Sequence, residues 1–317
     1  MLTLKRYPVS ISGLALALAS IGSSWELMLR GIGSFIHVIL LVISLALSLP
    51  VWAKILMYPK QLQDAIKDPV MVTALPTLTM LGMLYSDIVA YSNITLATLV
   101  LSIMLILHLI LLINFIYYHI IKSNLEDYTP AWFIPTVGGG LACSAMAPMG
   151  YAEVSYTILC VASILFFVVL LAILLRFFIY GKVGHYKSPT LVVFAAPASI
   201  CLSGYLSISN HPSTIITLFL ASLVLLLVLF SYMLAFFIIL KNKFSPLFSC
   251  LTFPLAMSTF AIHKFSQWAN QQISAAWGDV FSIMSGVQLV ASSAVIAYVL
   301  WGYCYYLLSD APQKSEL

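Results

Sequence analysis

Charged residues are scarce in this sequence: Asp, Glu, Lys and Arg together make up 8% of its 317 residues. Soluble domains carry about a quarter charged residues, so this chain has too few of them to cover a surface that faces water. Hydrophobic residues make up 62% of the chain, and they form many runs long enough to cross a bilayer, for which about 20 residues suffice. The composition predicts one all-α integral membrane domain over residues 1–317, with a short cytoplasmic tail at 309–317.

Charged residues and clusters of Gly, Pro and Asn divide the chain into ten predicted membrane spans. The even-numbered spans are long and rich in Leu, Ile, Val and Phe, as helices that face lipid must be. The odd-numbered spans contain more Gly, Ala, Ser, Thr and Pro, and small residues let helix backbones approach closely. We therefore expect the odd spans inside the protein and the even spans outside. The spans are 8–29, 33–57, 69–91, 94–121, 130–150, 152–180, 188–209, 213–240, 245–267 and 276–308.

The distribution of basic residues predicts the orientation of these spans. If both termini are cytoplasmic, 12 of the 14 Lys and Arg residues lie on the cytoplasmic side, and only Arg30 and Lys264 lie on the other. Membrane proteins retain positive charge in their cytoplasmic loops, so this asymmetry favours an even number of spans and cytoplasmic termini. The expected location is a bacterial inner membrane.

A repeat is visible in the odd spans, because each begins at a proline and these prolines are 61, 61, 59 and 57 residues apart. Four of the five odd spans carry a second proline shortly afterwards. One helical hairpin used five times is the simplest explanation. We predict a quasi-fivefold ring around a central pore, with the odd spans inside. The leading prolines are Pro8, Pro69, Pro130, Pro189 and Pro246, and the second prolines are Pro76, Pro135, Pro197 and Pro254.

The odd spans also contain no Asp, Glu, Lys, Arg or His over their central residues, 9–24, 70–86, 131–152, 190–210 and 247–262. A cation pathway would need carboxylates, and a proton-coupled pump normally keeps a titratable group at membrane depth. Hydroxyl groups in an apolar wall remain, and such a wall suits weakly hydrated anions. The alternative is that each hydroxyl only donates to a carbonyl one turn back in its own helix. The hydroxyls are Ser12, Thr73, Thr77, Thr79, Ser144, Ser199, Ser203, Ser258 and Thr259.

No enzyme site is apparent, because the sequence offers no nucleophile and base in a plausible arrangement. His37, His108 and His119 raise the alternative of a membrane cytochrome or redox enzyme, since His108 and His119 share a predicted helix face. No paired histidine spacing on two facing helices supports haem ligation. We therefore expect no catalytic residue, no cofactor and no metal site.

Two segments, "SPTLVVFAAPASICLSGYLS" and "LTFPLAMST", resemble the tellurite-resistance/dicarboxylate transporter family, which includes TehA and the plant slow-type anion channel. Gly13 and Trp25 in the first span and "TPAWFIP" at the start of the fifth also match this family's pattern. The resemblance covers nearly the whole chain. It implies a homotrimer in which each protomer has its own pore through the odd helices. It also implies a phenylalanine in the ninth span that plugs this pore, and by position that residue is Phe253.

The repeat allows Phe253 to be compared with the equivalent residues of the other odd spans, because it stands seven residues after its leading proline. The corresponding residues of the other odd spans are smaller. One phenyl ring at this level can therefore fill a pore, and a hydrophobic constriction blocks ions by excluding water. The expected pore-lining residues are Ser12, Gly13, Ala15, Thr73, Pro76, Pro135, Val137, Ala196, Pro197 and Pro254, with Phe253 as the gate.

The sequence therefore favours a gated passive anion channel that conducts small anions through the odd-numbered helices. The alternative is a secondary transporter or exporter of C4-dicarboxylate, sulfite or tellurite-type oxyanions. Expected partners are small inorganic or organic anions, membrane lipid and two further copies of the chain, with no nucleic acid.

Overall fold

The computed structural model describes residues 4–146, 149–181 and 183–308, and regular structure over these ranges is helical throughout. The predicted tail at 309–317 lies outside the described residues. One short helix, α3, stands between the second and third predicted spans and was not predicted. The α-helices are α1 (Ile11–Met28), α2 (Ile32–Met57), α3 (Pro59–Lys67), α4 (Pro76–Ala90), α5 (Ile94–Phe115), α6 (Phe133–Val137), α7 (Ala142–Met146), α8 (Ala152–Tyr180), α9 (Ala195–Ile208), α10 (Thr214–Lys241), α11 (Phe253–Gln272) and α12 (Ala275–Leu308).

Nine helical segments of the described chain are long and apolar enough to cross a membrane. The fifth predicted span, 130–150, is not one continuous α-helix over its described residues, and the count of ten spans stays a prediction. Its described part consists of α6 and α7, joined by a 3₁₀ turn over Gly138–Leu141. Three consecutive glycines explain the break, because each glycine loses more backbone freedom in a helix than any other residue.

Burial separates the odd from the even spans, as their compositions predicted. In the odd spans that form long helices, between 61% and 83% of the most apolar stretch is buried. In the even spans the corresponding share lies between 17% and 33%. The small-residue segments therefore form the core, and the Leu-, Ile- and Val-rich helices expose apolar side chains as lipid-facing helices do.

The later odd segments share one local pattern, a 3₁₀ turn followed by an α-helix. Pro76 is the first residue of α4 and Pro254 the second of α11, while Pro135 and Pro197 stand third in α6 and α9. Each second proline therefore occupies the first helical turn, where its missing N–H has no partner to lose. Pro254 therefore stands at the start of α11 and not inside a helix that it could kink.

The odd segments pack against one another in sequence order. Helix α1 contacts α4, α4 contacts α7 and the Gly138–Leu141 turn, and both of these contact α9. Helix α9 contacts α11, and α11 contacts α1. Each odd segment also packs against the long helix that follows it, such as α2 against α1 and α12 against α11. We refer to α1, α4, residues 130–146, α9 and α11, with the 3₁₀ turns that precede them, as the inner segments.

Candidate functional site

A cavity of about 300 Å³ lies at the end of the inner segments that carries the leading prolines. All five inner segments contribute to its wall. The exposed Tyr186 and the half-buried Lys187 stand at its mouth. The wall is mainly apolar and consists of Val9, Ser10, Gly13, Pro69, Val70, Met71, Thr73, Ala74, Thr77, Ile134, Val193, Leu247, Ser249, Cys250, Phe253 and Pro254, with Asp68 beside the mouth.

The repeat shows how deep this cavity reaches. Counted from the leading prolines, its wall begins at the proline itself, as at Pro69, and ends seven or eight residues later. The last residues are Phe253, Pro254 and Thr77. Phe253 lines the cavity and is otherwise packed, since the residue is only 5% exposed. The cavity therefore ends at the level of Phe253.

The structure places the expected pore residues in two groups. Phe253, Gly13, Thr73 and Pro254 line the cavity. The others are buried in the packing around it or beyond its end, and none of these is in the cavity wall that the described residues form. This second group consists of Ser12, Ala15, Pro76, Pro135, Val137, Ala196 and Pro197.

Sequence reasoning missed several wall residues, although the repeat contains a signal for them. Thr73, Ile134, Val193 and Cys250 all stand four residues after a leading proline, and all four line the cavity. Of these four, only Thr73 was expected there. Applying its register to the later inner segments would have found Ile134, Val193 and Cys250, although the equivalent residue of the first segment, Ser12, is buried beside the cavity.

The nine hydroxyls that were candidates for binding an anion all donate to backbone carbonyls of their own segments. Their acceptors lie three or four residues earlier, as the alternative interpretation expected. Ser12, Thr77, Thr79 and Thr259 also lie 2.7 to 3.2 Å from a side chain on another segment. Because each hydroxyl has one hydrogen, these groups present oxygen lone pairs to their surroundings. The donors are Ser12, Thr73, Thr77, Thr79, Ser144, Ser199, Ser203, Ser258 and Thr259.

Ser249 is the exception among the hydroxyls of the cavity wall. Thr73 and Thr77 donate to carbonyls as described, and Ser10 lies 3.0 Å from the Tyr303 hydroxyl. Tyr303 donates its own hydrogen to the Pro246 carbonyl, so Ser10 is the donor of that pair. Within the described chain the Ser249 hydroxyl has no hydrogen-bond partner. Ser249 is therefore the wall serine whose O–H remains available to a bound ion.

Gly13 lets α1 approach the segment that carries Ser249 and Phe253. A Cβ atom at Gly13 would lie 3.4 Å from the Ser249 Cβ. The Thr252 hydroxyl also lies 3.4 Å from the Gly13 carbonyl oxygen. The absence of a side chain at Gly13 therefore keeps the wall beside Ser249 open.

The two charged groups near the mouth, Asp68 and Lys187, differ in whether they are free to bind a ligand. The Oδ1 atom of Asp68 accepts hydrogen bonds from the backbone N–H groups of Val70 and Met71, at 2.9 and 2.7 Å. These bonds hold the carboxylate against its own segment. The Lys187 ammonium has no hydrogen bond or ion pair with any described residue. The free charge at the mouth is therefore positive, which favours anions.

His108 and His119 each contact a different neighbouring segment, so they do not form one shared site. The Nδ1 atom of His108 lies 2.8 Å from the Thr79 hydroxyl, and the Nε2 atom of His119 lies 2.7 Å from the Ile66 carbonyl. The ring of His108 lies against Gly138 and Gly139, where a Cβ would come within 3.1 and 3.3 Å of it. Over the described ranges no three His, Cys, Asp or Glu side chains form a group suited to a metal ion.

Nine apolar helical segments and a cavity walled by five buried segments define a multi-pass helical membrane protein with a polar entry into its interior. A family model described as voltage-dependent anion channel, SLAC1, matches residues 6–304. The chain therefore belongs to this family of anion channels and transporters, which includes TehA and the plant slow-type channel, and the resemblance drawn from the sequence is confirmed. A comparison with curated proteins found no match.

Proposed function

We propose that the inner segments enclose a pore for small anions and that Phe253 closes it. The supporting observation is the cavity, because all five inner segments line it and it ends at Phe253. The sequential contacts of the inner segments, from α1 back to α1, are those that a quasi-fivefold ring of five hairpins requires. A ring of apolar side chains that excludes water blocks ions without any charge.

The proposed channel is passive and discriminates poorly among small monovalent anions. Nearly all hydroxyls of the inner segments donate within their own helices, so the wall offers few donors to replace the hydration shell of an ion. An ion then crosses according to how easily it gives up water. The free ammonium of Lys187 raises the local concentration of anions at the mouth.

In the proposed orientation the mouth with Lys187 faces the cytoplasm of a bacterial cell, and the chain resides in the inner membrane. The support is the 12-to-2 distribution of basic residues between the two sides. We also propose a homotrimer with one pore in each protomer, on the family relationship alone. Native mass measurement of the protein in detergent is expected to give three chains, and a monomer would contradict this part.

Anion flux into proteoliposomes, with and without a pH gradient, tests the passive mechanism against a carrier. Because no Asp, Glu, Lys, Arg or His lies in the central residues of the inner segments, flux of chloride and nitrate is expected to follow the anion gradient alone. Flux that requires a pH gradient would contradict the channel. Such a result would favour a carrier for dicarboxylate, sulfite or tellurite-type oxyanions.

A further inference from the structure

The inner segments carry a second set of equivalent positions at the end opposite the leading prolines. These positions lie eleven residues beyond the level of Phe253, or eighteen residues after each leading proline. Four of the five are polar or charged, although the intervening residues of these segments are almost all uncharged. The fifth position, Pro148, lies outside the described residues. The four positions are Glu26, Asp87, Ser207 and Lys264, which we call the outer ring.

Helix geometry puts Lys264 on the same side of α11 as Phe253. Eleven residues make about three turns, so the two side chains point within roughly 20° of one another and are separated by about 16 Å along the axis. Both residues belong to the uninterrupted helix α11. Helical side chains lean toward the N-terminus, and the Lys264 ammonium accordingly lies 5.5 Å from the ring centre of Phe260. Along this face of α11, Lys264 is the first Asp, Glu, Lys or Arg side chain beyond Phe253.

Contacts across the inner segments show that members of the outer ring face one another. The Nζ atom of Lys264, on α11, donates to the Ser207 hydroxyl on α9 over 3.2 Å. The charge of Lys264 also interacts with that of Asp87 on α4. Lys264, Ser207 and Asp87 of the outer ring therefore face one another from three different inner segments.

The carboxylate of Glu26 already has partners on both of its oxygens. The Nδ1 atom of His37 lies 2.5 Å from Glu26 Oε2, and the Ser34 hydroxyl donates to Glu26 Oε1 over 3.1 Å. Lys264, by contrast, has no ion pair within 4 Å in the described part of the chain, and its interaction with Asp87 acts over a longer distance. Its ammonium has three N–H donors, of which Ser207 accepts one.

Lys264 is also the one Lys or Arg among the described residues of helices α1, α4, α6, α7, α9 and α11. We propose that its ammonium forms a second site for small anions, in series with Phe253, at the outer end of the pathway. Asp87 competes with the anion for this ammonium and keeps the site weak, so that ions leave it readily. This inference rests on the proposed function, because it assumes that anions travel along the face of α11 that carries Phe253.

Conductance measured on a Phe253→Ala background tests the site, because that substitution is expected to open the pathway. Lys264→Gln is expected to lower anion entry from the outer side about threefold at low salt, since a unit charge some 7 Å away in water changes an anion's energy by about the thermal energy. The effect is expected to shrink at high salt, where screening acts within a few ångströms. Asp87→Asn is expected to raise anion entry, and Lys264→Arg is expected to preserve it. Arg30→Gln removes the other basic residue of that side and is expected to leave anion entry unchanged.

Bromide located by anomalous scattering in crystals provides a readout that does not depend on an open pore. Bromide is expected beside the Lys264 ammonium in the otherwise unaltered protein and to be lost in Lys264→Gln. The outer site would be overturned if no bromide were found beside residue 264 in either protein. It would also be overturned if Lys264→Gln left the conductance unchanged. If Phe253→Ala does not conduct but bromide still binds at Lys264, the gate fails and the outer site stands.

Discussion

The side-chain oxygens of Ser12 and Thr77 lie 2.7 Å apart and join α1 to α4 beside the cavity. The Ser12 oxygen also lies 2.6 Å from the Val9 carbonyl oxygen and the Thr77 oxygen 2.6 Å from that of Ala74, so one of the two hydroxyls shares its hydrogen between its own carbonyl and the other hydroxyl. Both residues are almost completely buried. A hydrogen bond between two buried side chains therefore joins two inner segments.

Replacing Thr77 by valine is expected to lower the stability of the protein by about 1–3 kcal/mol, because it removes the two side-chain hydrogen bonds that Thr77 makes with Ser12 and with the Ala74 carbonyl. Thermal unfolding in detergent measures the change. Thr157→Val is the matched control, since exposed Thr157 donates only to the Glu153 carbonyl of its own helix. Equal unfolding temperatures for the two variants would show that the link between α1 and α4 contributes nothing.

Gly140 is expected to tolerate no side chain. A Cβ there would lie 2.9 Å from the Ile200 Cγ2 atom and 3.2 Å from the Ala162 Cβ atom. Gly140→Ala should therefore cost about 1–3 kcal/mol through overpacking, measured by thermal unfolding. At Gly286 the nearest atom to a Cβ is 4.0 Å away, so Gly286→Ala should be neutral or stabilising through its higher helix propensity. A stable Gly140→Ala variant would contradict the close packing of the broken span.

The free hydroxyl of Ser249 is expected to help an anion in the cavity. On a Phe253→Ala background, Ser249→Ala should lower chloride conductance about two- to tenfold, which corresponds to the net value of one hydrogen bond. Ser10→Ala is the control, because Ser10 also lines the cavity but donates its hydrogen to Tyr303. A larger loss at Ser10 than at Ser249 would refute this role of Ser249.

The proposed orientation predicts where reporters are active. A phosphatase that functions only outside the cytoplasm should be inactive when fused after Leu317. The same enzyme inserted at Asn93, in the turn before α5, should be active because the proposed orientation puts that turn on the outer side. Activity after Leu317 with none at Asn93 would invert the topology.

The proline repeat predicted most of the fold because it marks local backbone changes. Each second proline does stand at the start of an α-helix, and nine of the ten spans form helical segments that are long and apolar enough to cross a membrane. The break in the fifth span was not predicted. The apolar composition of this span continues through Gly138–Gly140, although the backbone there no longer favours an α-helix. Composition reports burial, and it does not report where helical hydrogen bonding stops.

The cavity was harder to predict than the fold. The register of Phe253 follows from the repeat, and so does that of Ile134 and Cys250. The state of the hydroxyls does not, because Ser249 and Thr252 look alike in sequence although Thr252 donates to the Ser249 carbonyl and Ser249 donates to no described group. Which hydroxyl remains free depends on local backbone geometry at the 3₁₀ turn.

Conductance of Phe253→Ala in planar bilayers tests the central claim most directly. Because the ring ends the cavity, its removal should raise chloride conductance more than about tenfold, a change that needs only about 1.4 kcal/mol less barrier. Phe253→Leu should give a smaller rise, and Phe248→Leu, at a buried ring that packs on Phe244 outside the cavity, should give none. A Phe253→Ala protein that assembles normally and conducts no more than the unaltered protein would contradict the gate.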